Sequence, residues 1–281
     1  MFEPMLSMEV VSTCLLRDLP VYRVTCESLR RNIPGASLHL ITCRDAFAAF
    51  RNACGNDLCL WDEDEIVPNM TLGTLRRHPL PFFPAGAGWY FQQFLKWGFA
   101  RVSNEMPHYL IWDADTVLLR PLDFFDSEGR PYLTRANEFH PPYFETFEKL
   151  VGDSPIEKVS FISQHQLIDK AVLRELLELV SGKSKSGKGW AWVIIENLAG
   201  QGSNLFSEYE TYGHYLRLRH PSLAVTRELS WTRMGRKEAG YPPKTCKLVA
   251  LGDRYDYAAF EANQSLRGLC VHWLRKLLNW Y

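Results

Sequence analysis

The sequence predicts an α/β fold in which helices cover both faces of a mostly parallel sheet. Strand-like apolar runs alternate with helix-like segments over the first sixty residues, and the connections between them are short. This alternation is typical of parallel sheets, whose crossover connections are usually helices. The chain has 281 residues, of which 46% are hydrophobic and 23% charged, so one large domain or two small ones could bury a sizeable core.

Over the first sixty residues the pattern predicts the order strand, helix, strand, helix, strand. Pro34 and Gly35 end the first helix, because these residues commonly punctuate helix ends. An acidic run, 62–65, follows the third strand. The predicted elements are a strand at 8–16, a helix at 21–32, a strand at 37–42, a helix at 44–53 and a strand at 57–61.

The second half is less regular. Residues 71–88 are rich in Pro and Gly and predict a surface loop that could act as a lid. The later predictions are helices at 88–102, 167–180, 190–199 and from Ser207, strands at 132–138, 159–166, 223–233 and 247–251, and an amphipathic helix at 266–281.

Two carboxylates, Asp113 and Asp115, follow the apolar run 109–112. Side chains two residues apart on a strand point the same way, so both acids can share a face where the strand ends. Mg²⁺ is commonly held by one or two carboxylates together with substrate phosphates. The pair therefore predicts a metal–diphosphate site at the carboxyl end of a central strand. The alternative is an acidic turn without a ligand.

Polar residues at the end of the first strand are candidate nucleotide contacts, because ligands of parallel sheets bind beyond the carboxyl ends of the strands. For Asp18, a helix-capping role is an equally good interpretation. The four candidates are Ser12, Thr13, Arg17 and Asp18.

Two helices supply further polar side chains. Gln92 and Lys96 lie four residues apart and share a helix face, which suits contacts to a diphosphate and a sugar; the alternative is a solvated face. Ser207 can cap a helix whose first turn carries Glu208 and Glu210. Acids at a helix start also have a purely structural explanation, since they interact favourably with the helix dipole.

Composition excludes several classes of function. Net charge is zero and the pI about 7.1, which argues against nucleic acid as a partner. The seven cysteines form no Cys-x-x-Cys pair, so a zinc cluster is not expected and reduced thiols in the cytoplasm are. The amino terminus shows no signal-peptide pattern, and no apolar run is long enough to cross a bilayer. The helix 266–281 carries basic residues, and an alternative to packing on the domain is peripheral contact with the inner face of a membrane.

A resemblance to a known family adds to these predictions. The chain resembles the metal-dependent GT-A glycosyltransferases, and within them a group of bacterial polysaccharide or lipopolysaccharide glycosyltransferases. The segments that carry the resemblance are Arg17-Asp-Leu-Pro20, Gly88-Trp-Tyr-Phe-Gln-Gln-Phe-Leu-Lys96, Trp112-Asp-Ala-Asp-Thr116, Phe161-Ile-Ser-Gln-His165 and Phe206-Ser-Glu-Tyr-Glu-Thr-Tyr-Gly213.

The resemblance implies a GT-A-like, Rossmann-like sheet in a single catalytic domain, with a nucleotide-sugar-binding half, 1–122, and an acceptor-binding half, 123–281. It implies transfer of a sugar from a nucleotide-sugar donor to a hydroxyl of a glycan or glycolipid, with Mn²⁺ or Mg²⁺ as cofactor. Asp115 would bind the metal, Asp113 the metal or the ribose, and His272 the metal, with His165 as the alternative histidine.

The resemblance also suggests catalytic roles. Lys96 would stabilise the negative charge that develops on the departing diphosphate. In an inverting mechanism a carboxylate would act as general base on the acceptor hydroxyl, and we choose Glu208 over Glu210 for that role. In a retaining mechanism neither acid need be a base.

Two rival functions come from different classes. Asp113 and Asp115 also fit the first motif of haloacid dehalogenase-type phosphatases, in which an Asp is the nucleophile, and Gly252 to Asp256 loosely imitates their last acidic motif. Against this rival, about a hundred residues with their own strand–helix pattern precede the acid pair. The second rival is a carbohydrate-binding protein without catalytic activity.

Overall fold

The computed structural model describes residues 8–80, 86–103, 106–184, 187 and 189–261. Their largest feature is a five-stranded sheet, accompanied by one sheet of three strands and one of two. The strands are β1 Glu9–Thr13, β2 Ser37–Thr42, β3 Cys59–Asp62, β4 His108–Trp112, β5 Thr116–Leu118, β6 Tyr132–Thr134, β7 His165–Asp169, β8 Val225–Arg227, β9 Trp231–Thr232 and β10 Tyr257–Ala259.

Helices connect these strands. They are α1 Leu19–Asn32, α2 Phe47–Cys54, α3 Glu63–Ile66, α4 Leu72–Arg76, α5 Ala87–Gly98, α6 Pro141–Val151, α7 Lys170–Ser181, α8 Trp190–Glu196, α9 Glu208–Arg219, α10 Gly235–Ala239 and α11 Thr245–Gly252. Three short 3-10 segments precede or extend them at Leu16–Asp18, Arg44–Ala46 and Phe99–Arg101. Among the described residues, no helix is both long and apolar enough to cross a membrane.

The large sheet has the order β3-β2-β1-β4-β7. Strands β1 to β4 are parallel to one another, and β7 runs antiparallel to β4 along the edge. The chain first builds outward from β1 to β3 and then crosses to the other side of β1 with β4. The order of strands therefore reverses between β1 and β4, which is where open α/β sheets bind their ligands.

Both faces of the large sheet are buried. Val10 and Leu110 face a core built with α1 and α2, whereas Val11 and Ile111 face a larger core built with α5, α7 and α9. This burial on both faces explains why apolar residues follow one another without alternation in β4 and at Val10-Val11 of β1. The α/β fold class predicted from the alternation is confirmed.

Several predicted boundaries are wrong. Residues 247–251 lie in α11 rather than a strand, because a short apolar run suits either structure. The predicted strand at 159–166 begins only at His165, and residues 71–88 contain α4. Thr71 caps α4 and exchanges hydrogen bonds with Thr74, so this stretch has regular structure of its own. Residues 81–85 and 266–281, and with them parts of the lid and membrane-contact predictions, lie outside the described residues.

Candidate active site at the strand-order reversal

Asp113 and Asp115 lie in a tight turn directly after β4. The Asp113 N–H donates to the carbonyl of Gln164 at 2.9 Å, and the Thr116 N–H donates back to the Asp113 carbonyl at 3.0 Å. The carbonyl of Asp115 accepts from the Phe260 N–H at 2.7 Å. One backbone bond within the turn and two to other segments thus hold it at the carboxyl end of β4, beside the end of β1.

The first group of charges, which we call the Lys96 cluster, consists of Lys96, Asp113 and Glu208. The ammonium of Lys96, on α5, donates to Asp113 Oδ1 at 2.6 Å and to Glu208 Oε1 at 2.7 Å. Tyr209 donates its hydroxyl to the same Asp113 oxygen at 2.7 Å. Lys96 and Glu208 are buried, so one cation joins two carboxylates inside the protein.

The titration of this cluster follows from its contacts. Burial alone would lower the pKa of Lys96, but the charges of Asp113 and Glu208 outweigh burial and raise it. Burial raises the pKa of Glu208, and Lys96 offsets part of that rise. Lys96 is therefore a permanent cation at neutral pH, and it fixes the position of Asp113 Oδ1.

The second group, which we call the Asp115 cluster, consists of Asp115, Asp18 and Glu261. The pKa of Asp115 is raised to about 7, first by burial and then by the charges of Asp113, Glu261 and Asp18. Arg233 contacts Glu261 at 3.3 Å and Arg17 reaches Asp18 at 3.4 Å. Asp115 itself forms no ion pair with any residue that the structure describes.

The donors present fit a hard divalent cation. Asp113 Oδ1 is taken by Lys96 and Tyr209, which leaves Oδ2 and the carboxylate of Asp115 as oxygen ligands. Within the described ranges no three His, Cys, Asp or Glu side chains form a complete metal-binding group. A cation would therefore be held by two carboxylates and would need further ligands, as Mg²⁺ commonly finds in substrate phosphates and water.

Gln164 connects Asp113 to Arg233. With its amide oriented to satisfy both neighbours, it donates to Asp113 Oδ2 at 3.2 Å and accepts from Arg233 at 3.1 Å. Its backbone adopts φ 65°, a left-handed conformation that is unfavourable for a residue with a side chain. Arg233 also contacts Glu138 and lies over the ring of Trp231. Residues with a strained backbone, as at Gln164, are typical of functional sites.

Comparison with known proteins assigns the chain to a family. Residues 10–230 match a family of unknown function, DUF6492. The chain belongs to this family. No curated protein matches the DUF6492 chain.

Solved structures with a similar fold are glycosyltransferases. One is the galactosyltransferase LgtC in complex with donor and acceptor sugar analogues, at 11% identity and a TM-score of 0.50, over 90% of the DUF6492 chain and 87% of LgtC. Another is mouse xyloside xylosyltransferase 1 without ligand, at 14% identity and a TM-score of 0.49, over 93% and 100% of the two chains. The likeness to LgtC shows that the DUF6492 chain has a GT-A-like fold.

The residues predicted near β1 have different environments. Ser12 is buried and donates its hydroxyl to the Trp112 carbonyl at 2.7 Å, which ties β1 to β4. Thr13 is half-buried, and Arg17 is exposed. Asp18 occupies the N-cap position of α1 but makes no side-chain capping bond, so the capping interpretation is wrong and its carboxylate remains with the Asp115 cluster.

On α5 the site uses a different glutamine from the predicted one. Among the described residues, Gln92 donates only to the Trp89 carbonyl, at 3.2 Å. Its neighbour Gln93 is buried and accepts from the Glu208 N–H at 3.0 Å. Gln93 lies three residues before Lys96 and shares its face, a spacing that would have identified it. The solvated-face alternative for Lys96 is wrong, because Lys96 is buried.

The two acids at the start of α9 have separate environments. Ser207 caps the helix as predicted, accepting from the Glu210 N–H. Glu208 belongs to the Lys96 cluster, whereas Glu210 accepts from the Ser160 hydroxyl at 2.6 Å and from the Phe161 N–H at 2.9 Å. Glu210 therefore supports the loop that carries Gln164, and the structure brings it into no contact with Asp113.

Of the two histidines predicted as candidate metal ligands, only His165 lies within the described residues. His165 is buried against Trp112, its ring nitrogens lie 2.9 Å from the Ser163 carbonyl and 3.2 Å from the Thr134 hydroxyl, and burial lowers its pKa to about 3. Because both nitrogens have protein partners, His165 is not a metal ligand in this arrangement. His272 lies outside the described residues. Sequence patterns gave no signal for Arg233 or Glu261, which come from a distant part of the chain, and did not single out Tyr209 within the segment 206–213.

Proposed function

We propose that this protein is a glycosyltransferase that moves a sugar from a nucleotide-sugar donor to an acceptor hydroxyl with the help of Mn²⁺ or Mg²⁺. The observation that carries the proposal is Asp115, a carboxylate at the strand-order reversal whose charge is opposed by three other acids and balanced by no described cation. A divalent cation that also binds a diphosphate would relieve this repulsion.

Each residue of the site would have a separate role in this reaction. Asp115 and Asp113 would hold the cation, and Lys96 keeps Asp113 in place through Oδ1. A bound Mn²⁺ or Mg²⁺ supplies Lewis-acid stabilisation of the charge on the leaving diphosphate. Arg233, held by Gln164, brings a further positive charge close to Asp113.

For the acceptor, we propose residues 123–281 as the main binding region, although the metal site draws on both halves of the chain. Phe139 is 51% exposed and stacks on Phe144 with ring centres 4.4 Å apart. Exposed aromatic rings suit the apolar faces of sugars. A glycan or glycolipid of bacterial surface polysaccharide or lipopolysaccharide is the acceptor class we propose.

Glu208 is our candidate for the base in an inverting reaction. Its raised pKa favours proton uptake, while its ion pair with Lys96 opposes it. Glu208→Gln should lower the rate of transfer more than it weakens donor binding. A variant that loses donor binding alone would assign Glu208 to positioning Lys96 instead.

The phosphatase alternative finds less support in the structure. Asp256 ends the segment that resembles the last acidic motif of the phosphatases. It binds Arg120 at 2.7 Å and the Ser230 N–H at 2.7 Å. These contacts lie at the end of β10 far from Asp115. The acid pair also follows the fourth strand of the chain rather than the first of its domain.

The decisive activity test is release of nucleoside diphosphate from a panel of nucleotide sugars, with and without Mn²⁺. Asp115→Ala should reduce metal-dependent release by about 10- to 100-fold or more, the loss typical even of residues that only support metal ligands. Asp253→Ala, at an exposed acid, is the control. Equal release by Asp115→Ala would overturn the metal role, and hydrolysis of p-nitrophenyl phosphate alone would favour a phosphatase. Sugar binding without any turnover would favour the binding protein.

A further inference from the structure

A tyrosine on the late segment 234–241 lies beside the candidate site but has no part in the chemistry proposed above. Tyr241 follows α10 and is 37% exposed, although it is a large aromatic side chain. The guanidinium carbon of Arg236 lies 3.6 Å from the centre of its ring. This contact covers one face of the ring with a cation and holds the ring in place.

A short series of contacts joins Tyr241 to the metal site. The Asp115 carbonyl accepts from the Phe260 N–H at 2.7 Å, and the Phe260 carbonyl accepts from Arg236 Nε at 2.6 Å. Arg236 in turn stacks on Tyr241. Two hydrogen bonds and one stacking contact thus fix the position of the ring relative to Asp115.

The backbone around α10 is also closely packed. A Cβ at Gly235 would lie 2.6 Å from the Ala259 carbonyl oxygen and 2.9 Å from the Phe260 ring, so only glycine permits this approach. Gly240, directly before Tyr241, has φ 83°, which a side chain would disfavour. The sequence therefore places α10 directly against the strand that ends beside Asp115.

Tyr241 also lies near the end of β1. Burial raises the pKa of Tyr241, Arg236 lowers it, and the charges of Asp18 and Cys14 raise it further. Leu15 and Leu16, between those two residues, are 44% and 49% exposed. Tyr241 and this loop thus both present exposed apolar surface in the neighbourhood of Asp18.

We propose that Tyr241, backed by Arg236, is the platform on which the base of the donor nucleotide stacks, while the diphosphate extends to Asp113 and Asp115. The inference rests on the proposed function, because it assumes a nucleotide donor. Every base presents an aromatic face. The charge of Asp18 raises the pKa of both Tyr241 and Asp115, so its carboxylate is near enough to both to accept from a ribose hydroxyl. Base stacking on a protein ring typically contributes enough that its removal weakens binding roughly 5- to 150-fold.

The test compares ligands with and without a base. Binding of UDP, GDP, CDP and ADP, each with Mn²⁺, is measured by calorimetry alongside inorganic pyrophosphate with Mn²⁺. Tyr241→Ala and Tyr241→Leu should weaken binding of the best nucleotide roughly 5- to 150-fold and leave pyrophosphate binding unchanged. Tyr241→Phe, which keeps the ring, should recover most of the affinity.

A matched control is available on the same part of the fold. Tyr255 also lies under an arginine, with the Arg254 guanidinium carbon 4.7 Å from its ring centre, but it lies just before the start of β10, at the end of that strand far from Asp115. Tyr255→Ala should leave nucleotide affinity at the wild-type value. Melting temperatures of all variants show whether each is folded.

The outcomes separate this inference from the proposed function. If the wild-type protein binds nucleotides and Tyr241→Ala binds them equally well, or loses pyrophosphate to the same extent, the platform is wrong and the proposed function stands. If the wild-type protein binds neither a nucleotide nor pyrophosphate in the presence of Mn²⁺, the proposed function itself is overturned.

Discussion

The two groups of charges at the end of β4 differ in how their negative charge is balanced. In the Lys96 cluster two carboxylates share one buried ammonium at 2.6 and 2.7 Å, and Tyr209 adds a hydrogen bond. In the Asp115 cluster the central carboxylate has acids around it and, among the residues described, no cation of its own. The turn that carries Asp113 and Asp115 joins the two groups, because these two acids are separated in sequence by Ala114 alone.

This difference suits the Lys96 cluster to a structural role and the Asp115 cluster to ligand binding. A buried ion pair that satisfies its members positions side chains and depends on all of them. A carboxylate with a raised pKa in a cluster of acids destabilises the protein at neutral pH and gains most from a bound cation. Neutralising a residue should therefore have opposite effects on stability in the two clusters.

The largest effect is expected from Lys96→Met. The change leaves Asp113 and Glu208 without their common cation, and removal of one partner from a buried pair typically costs about 3–5 kcal/mol of unfolding free energy. Urea denaturation of the ligand-free protein measures it. Lys149→Met, at an exposed lysine of α6, should change stability by less than about 0.5 kcal/mol. A similarly small loss for Lys96→Met would show that the cluster does not act as a unit.

Asp115→Asn should have the opposite sign in metal-free protein at pH 7.5. It removes a carboxylate that its neighbours repel, so the unfolding free energy should rise above the wild-type value.

The same variant should change the pH dependence. The pKa of Asp115 is about 7 in the folded protein and near 4 when unfolded, so the unfolded chain loses its proton first and wild-type stability falls as pH rises between these values. Asp115→Asn should flatten that slope in denaturation measured from pH 4 to 8. Lower stability of the variant at every pH would refute the interpretation of Asp115 as an uncompensated charge.

The smallest effect on stability is expected from Gln164→Gly. Glycine relieves the left-handed backbone but removes the amide that bridges Asp113 and Arg233, so the two contributions of about 1 kcal/mol each should nearly cancel. Affinity for Mn²⁺ with a nucleoside diphosphate should nevertheless fall, because Asp113 Oδ2 loses its orienting partner. Asn69→Gly, at the other described non-glycine residue with positive φ, should leave affinity unchanged. Unchanged affinity in Gln164→Gly would remove Gln164 from the site.

The sequence predicted the parts of this arrangement that depend on local pattern. The first sixty residues gave the correct order of strands and helices, and β2 matched its predicted bounds, because buried parallel strands and their crossover helices have distinct hydrophobic patterns. The Asp113–Asp115 turn and the Ser207 cap are local features for the same reason. The strand at 247–251 failed where a short apolar run fits both strand and helix.

Contacts between distant segments could not be predicted in this way. Lys96 and Glu208 are 112 residues apart, and nothing in the local sequence of either indicates that a single ammonium bridges Asp113 and Glu208. The strained backbone of Gln164 and the stacking of Arg236 on Tyr241 likewise arise only when the chain is folded.

The most direct test of the account is Mn²⁺ binding, followed by electron paramagnetic resonance, in the presence of whichever nucleoside diphosphate binds the wild-type protein. We expect the wild-type chain to bind one Mn²⁺ together with the nucleotide. In the presence of the Asp115→Asn variant, the Mn²⁺ spectrum should be the same as that of Mn²⁺ bound to the nucleotide without protein. If Asp115→Asn binds Mn²⁺ as tightly as the wild-type chain, the cation is not held at the end of β4 and the central claim is contradicted.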